Sequence, residues 1–121
     1  MARTARKAPA HRGAIQTLLL AIKPLVDSSG QIPLPYMLTF LMIAVDEGKS
    51  VGAYARELNV NRFLMSRHIR CIGDRGRNGR PGLGLVTTRR VDDYPARTAV
   101  FLTDKGRAVA AQMHRNLQPA Q

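Results

Sequence analysis

Apolar residues return every three or four positions over 13–27, GAIQTLLLAIKPLVD, where Ile15, Leu18, Leu19, Ile22, Leu25 and Val26 form one stripe. That spacing predicts a helix. Pro24 lacks an amide hydrogen and is expected to kink or end it. After the turn-rich connector SSGQIPLP, the stretch PYMLTFLMIAVDEG is almost wholly apolar. It predicts a deeply buried second helix, closed by Gly48. A third helix, VGAYARELN, has Ser50 as its cap and Val51, Tyr54, Ala55 and Leu58 facing inward. Asn59, Val60 and Asn61 separate it from a fourth, NRFLMSRHIR, for which Asn61 is the cap. Two short helices joined by such a turn form a helix-turn-helix candidate.

The pattern then changes. A Gly/Arg/Pro loop, DRGRNGRPGLG, precedes the β-branched run LGLVTTRRV. DDYPAR supplies turn chemistry and TAVFLT returns, so a two-stranded ribbon is predicted. Thr103 caps a last helix over 104–118, with Val109, Met113 and Leu117 on one side. Residues 1–12 are small, basic and Pro/Ala-bearing, and read as a disordered arm ahead of a single domain over 13–121. No internal repeat interrupts this order.

Charge adds what the hydrophobic pattern does not. Nineteen Lys and Arg stand against eight Asp and Glu, giving a formal net charge of +11. Fifteen of the nineteen are arginine, whose planar donor fork suits phosphate oxygens and guanine edges better than a lysine point charge. A polyanionic partner is expected, nucleic acid ahead of a membrane surface, and the apolar run around 38–45 is too short to span a bilayer. One cysteine excludes an intramolecular disulfide, and the N-terminus lacks the apolar core of a secretory signal, so a cytoplasmic location is expected.

On a helical wheel Arg62, Ser66, Arg70, Phe63 and Arg67 share an arc of roughly 140°, opposite Met65, Ile69 and Ile72. No acidic residue lies between Asn59 and Cys71 to balance the arginines. The fourth helix therefore presents a basic face suited to a DNA groove, with Asn61 and Arg62 at its start placed for base edges or a phosphate. Phe63 has two uses, contact with a thymine methyl or packing on a neighbouring element. Arg75, Arg77 and Arg80 lie in the Gly-rich loop, where backbone phosphate contact is the expected role. Arg89 and Arg90 point to opposite faces of a strand, so at most one of them faces DNA, and Arg89 is taken as the candidate. Arg97 follows the turn, and Asp92 or Asp93 is expected to orient it.

Other chemistries find little footing. His11, His68 and His114 have no ligand-like spacing, so no metal site is expected. GRNGRPGLG lacks the lysine and helix start of a phosphate-binding loop, and no Ser/His/Asp or paired-carboxylate arrangement supports an enzyme or a cofactor. Cys71 lies near Arg67 and Arg70, which would favour its thiolate, although a lone helical thiol is more often a small core residue.

The order helix, helix, helix, helix, strand, strand, helix, together with SRHI in the fourth helix, GLGLV entering the ribbon and VFLTDKG leaving it, resembles the winged-helix region of the MarR family of bacterial regulators. LTDKG is similar to that family's LTxxG junction. The resemblance implies a mainly α fold with a small antiparallel β-wing over about 84–102, flanked by dimerisation helices at 13–27 and 104–118. It further implies a sequence-specific transcriptional regulator, with the recognition helix in the major groove and the wing, through Arg97, in the minor groove. The apolar stripes of the terminal helices, in excess of what one small domain needs, agree with a homodimer. The family also has room for a small-molecule effector between terminal helices and winged helix, though no residue set here names a ligand. Three alternatives stay open: an architectural phage or plasmid protein that coats DNA, an RNA- or ribosome-associated winged helix, and a protein-interaction module. The low aromatic content of 5% argues against a single-strand stacking platform.

Overall fold

Capping chemistry sets where the helices begin. The computed structural model describes residues 12–30, 32–74, 81–91 and 97–118. They form α1 (Arg12–Ser29), α2 (Leu34–Val45), α3 (Val51–Leu58), α4 (Arg62–Ile72), β1 (Val86–Arg90), β2 (Thr98–Leu102) and α5 (Asp104–Leu117). Ser50 Oγ accepts from the Ala53 amide at 3.2 Å, Asn61 Oδ1 from Leu64 at 2.8 Å and Thr103 Oγ1 from Gly106 at 3.0 Å. All three caps stand where the sequence placed them, because a cap depends only on the few residues beside it. The basic arm expected over 1–12 lies outside the described residues except for Arg12, which opens α1.

Two helix ends differ from expectation. α2 stops at Val45 with Asp46 as its cap, and Gly48, at φ +90°, turns the chain three residues later. α1 does not end at Pro24 but runs on to Ser29. A proline in a helix leaves the carbonyl four residues earlier without its amide donor. Here that carbonyl belongs to Leu20, and Asn116 Nδ2 of α5 donates to it at 2.7 Å. The packing of α1 on α5 thus removes the reason for the helix to stop.

The core is one cluster drawn from every element. Leu25 of α1, Phe40 and Ile43 of α2, Tyr54 of α3, Met65, Ile69 and Ile72 of α4, Val86 and Val100 of the ribbon, and Val109 and Met113 of α5 meet in it. Burying a side chain such as Phe40 or Ile43 contributes about 1.5–3 kcal/mol. α3 and α4 are separated by Asn59, whose left-handed φ of 59° reverses the chain in three residues. Of the expected inward residues of α3, Tyr54 and Ala55 are buried, while Val51 and Leu58 are half-buried.

The strands pair antiparallel, with Val86 opposite Leu102, Thr88 opposite Val100 and Arg90 opposite Thr98. Residues 48 and 49 extend the ladder: the Gly48 amide donates to Val100 O at 2.8 Å and the Val100 amide to Lys49 O at 3.0 Å. The ribbon is tied to the end of α4 by Leu85 N donating to Ile72 O at 2.8 Å. Glu47 fastens the other side, accepting from the Leu102 amide at 2.8 Å and pairing with Arg107 at 3.2 Å. The result is a helix-turn-helix whose second helix and following β-wing are bolted to one core.

Candidate nucleic-acid interface

Helix α4 turns its oily side inward and its basic side out. Met65, His68, Ile69 and Ile72 are buried, whereas Arg62, Arg67 and Arg70 are exposed and Ser66 is half-buried. Among the described residues, no carboxylate pairs with any of these three arginines. Phe63 stands in the same arc with 88% of its surface exposed, so it does not pack on a neighbouring element. Asn61 caps the helix and thereby spends its side-chain oxygen, leaving its amide NH2 outward.

His68, to which sequence reasoning assigns no role, supports this helix from below. Its ring is 3% exposed, Nδ1 lies 3.2 Å from Thr39 Oγ1, and the Tyr36 ring packs against it at 5.0 Å between centroids. The Thr39 hydroxyl donates to Pro35 O at 2.8 Å and lies 3.9 Å from Met65 Sδ, so it is a polar partner for the His68 ring inside the core. Burial, with the Arg67 charge as a second cause, holds the imidazole below its ordinary pKa. The signal was present: His68 is three residues after Met65 and four before Ile72, on the buried side of the wheel.

The wing places its arginines unequally. Arg89 lies over the Phe101 ring, with its guanidinium carbon 4.0 Å from the centroid. Arg90, on the opposite face of the strand, lines a cleft of about 330 Å³ with Arg62, Arg97, Ser50, Val51 and Thr98. Sequence reasoning singles out Arg89 for DNA; in the structure it is Arg90 that shares a cleft with Arg62 of α4. Arg97 is exposed, and its Nη1 donates to Gly48 O at 3.2 Å. Arg75, Arg77 and Arg80 lie outside the described residues, as do Asp92 and Asp93, the expected partners of Arg97.

The terminal helices divide the expected apolar surplus. Val109 and Met113 of α5 are consumed by the chain's own core, and among the described side chains of α1 Ala21 and Leu25 alone are fully buried. Ile15, Leu18, Leu19, Leu20 and Val26 of α1 remain exposed, Leu19 to 64%, with Leu117 of α5 also exposed. Among the described residues, no helix is long and apolar enough to cross a membrane, and no three His, Cys, Asp or Glu side chains gather as a metal site would need.

No family model and no curated protein matches the sequence. Solved structures do match. RV1404 of Mycobacterium tuberculosis superimposes with a TM-score of 0.62 at 16% identity, covering 96% of this chain and 78% of its own. A MarR-like transcriptional regulator from Thermotoga maritima gives 0.62 at 15% identity, covering 91% and 76%. FabT of Streptococcus pneumoniae, solved in complex with DNA, gives 0.58 at 19% identity, covering 85% and 68%. The chain therefore has the winged-helix fold of the MarR-like regulators, mostly helical with a two-stranded antiparallel wing.

Proposed function

We propose that this chain is a homodimeric regulator of transcription in the bacterial cytoplasm that binds double-stranded DNA sequence-specifically. In this reading α4 enters the major groove, where Arg67 and Arg70 reach base edges, helped by Ser66 and Asn61, while Arg62 at the helix start reaches a base edge or a backbone phosphate. The wing follows the adjacent minor groove, where Arg97 at its base reaches the phosphates that edge the groove, and Arg75, Arg77 and Arg80 hold further backbone phosphates. The exposed apolar face of α1 would be covered by a second copy, which sets two recognition helices about 34–36 Å apart for two half-sites. The observation that carries the reading is the α4 face itself: three exposed arginines free of carboxylate partners among the described residues, on a capped helix pinned by Met65, Ile69 and Ile72. The MarR-like fold and a DNA-bound relative of that fold support it.

Enrichment of random duplexes on the purified protein tests this. A palindromic consensus is expected. Recovery of unrelated duplexes at similar affinity would replace regulation with DNA coating, which the same basic surface could perform through phosphates alone. Absence of duplex binding at low salt would end the proposal.

A further inference from the structure

The cleft at the base of the wing offers more than a share of general positive charge. Arg62 is the first residue of α4, Arg90 ends β1 and Arg97 immediately precedes β2, so three elements deliver guanidinium groups to one concavity. Ser50 and Thr98 add hydroxyl groups. Val51 opens α3, where the Val51 and Gly52 amides, ahead of the capped Ala53 amide, have no intrahelical acceptor and the helix dipole favours an anion. Arg97 is held toward this point by Gly48 O, two residues ahead of the Ser50 cap. Like charges converging on a concave wall repel one another and focus positive potential within it. Arg62 and Arg90 have no carboxylate partner among the described residues to relieve that repulsion.

We infer that this cleft is a binding site for a single phosphate oxyanion. The choice of phosphate follows from direction. Donors that arrive from the start of one helix, the wing and a second helix terminus approach an anion from several sides. A tetrahedral phosphate presents oxygens to all of them, whereas a planar carboxylate presents two oxygens in one plane. The source of the phosphate is the DNA backbone, so the inference rests on the DNA-binding reading above. Its consequence is specific: one phosphate bridges the first turn of the recognition helix to the base of the wing. Helix and wing then take a common register on the duplex, although neither Arg62 nor Arg90 need read a base.

The test has two arms, each run with the wild-type protein and with Arg90→Ala, whose site is exposed and whose fold is checked by circular dichroism. In the first, duplexes carrying one uncharged methylphosphonate at successive positions are bound in place of the unmodified duplex. Wild-type affinity should fall about ten-fold at one position in each half-site. Arg90→Ala should lose a similar factor on the unmodified duplex and should no longer sense that position. Arg90→Lys should restore part of the loss, since it keeps the charge but not the fork. In the second arm, DNA-free protein is titrated with inorganic phosphate against chloride of equal ionic strength while the Ser50 and Val51 amides are followed by NMR. Phosphate-specific shifts that vanish in Arg90→Ala are expected. Shifts without any duplex binding would keep the oxyanion site, move its source to a free phosphate group and overturn the DNA reading. Tight duplex binding with Arg90→Ala unchanged at every methylphosphonate position, and no phosphate-specific shifts, would overturn the site and leave the DNA reading standing.

Discussion

Asn116 Nδ2 donates to the Leu20 carbonyl, 2.7 Å away, and that carbonyl is the one Pro24 deprives of its helical donor. A residue near the end of the chain therefore completes a helix near its beginning. Asn116→Ala removes the donor at a partly solvated site and should cost about 1 kcal/mol in urea unfolding. In a Pro24→Ala background an amide returns to residue 24, and the same substitution should cost little. The double-mutant cycle isolates the pair. Equal costs in both backgrounds would show that Asn116 does something other than replace the missing bond.

Gly106 of α5 shows why the LTDKG junction ends in glycine. A Cβ at this position would fall inside the van der Waals envelope of the Leu85 carbonyl oxygen, just ahead of β1. Both partners are backbone, so neither can swing aside. Gly106→Ala should destabilise the fold by about 1–3 kcal/mol despite alanine's better helix propensity. A melting temperature at or above wild type would mean that α5 and the wing slide apart without cost.

His68 links the same core to pH. From α2 it faces Thr39 and Tyr36, from α4 the Arg67 charge, and the adjoining groove is lined by Leu34, Leu38, Leu58, Val60 and Leu64. No carboxylate among these groups would welcome an imidazolium. The native pKa is depressed, so between it and the ordinary value of 6.5 the unfolded chain binds the extra proton. Stability contributed by neutral His68 is complete above pH 6.5 and declines as pH falls toward the native pKa. Urea midpoints between pH 7 and 5.5 should drop for the wild type and stay flatter for His68→Gln; parallel curves for the two proteins would refute this.

How legible all this was depends on the range of the interaction that decides each feature. Caps at Ser50, Asn61 and Thr103 were readable because they act within one turn. The buried side of α4 was readable from period alone, and His68 could have been added to it by the same wheel. Pro24 misled because the donor that rescues its helix comes from α5, 92 positions further along. Arg89 and Arg90 were correctly assigned to opposite faces, but alternation cannot say which face meets α4. That choice needed the register, which sets Thr87 opposite Phe101 and so puts Arg89 on the Phe101 side. The apolar stripe of α5 looked like surplus until the structure placed Val109 and Met113 in the chain's own core.

The residual surplus on α1 makes the dimer testable. Leu18 and Leu19 are more than half exposed, which a lone chain does not need. Leu19→Glu should convert a dimer to a monomer in sedimentation equilibrium with an unchanged helical spectrum. Affinity for a two-half-site duplex should fall far more than affinity for a single half-site, because the second binding event ceases to be intramolecular. A wild-type protein that sediments as a monomer, or a Leu19→Glu protein that remains a dimer, would remove α1 from the interface.

Arg67 and Arg77 separate base reading from charge. Each carries one positive charge, so replacing either should lower the salt slope of DNA binding by about one unit, and slope cannot tell them apart. The ratio of specific to random affinity can. Arg67 projects from a rigid capped helix, where a bidentate contact to guanine is worth about 1–3 kcal/mol of discrimination. Arg67→Ala should therefore shrink that ratio by roughly five- to a hundred-fold. Arg77 belongs to a glycine-rich loop, whose expected contact is a phosphate common to every sequence. Arg77→Ala should weaken specific and random duplexes by the same factor and leave the ratio intact. Competition binding with both duplexes at one salt concentration decides the matter, and the opposite pattern would assign sequence reading to the loop rather than to α4.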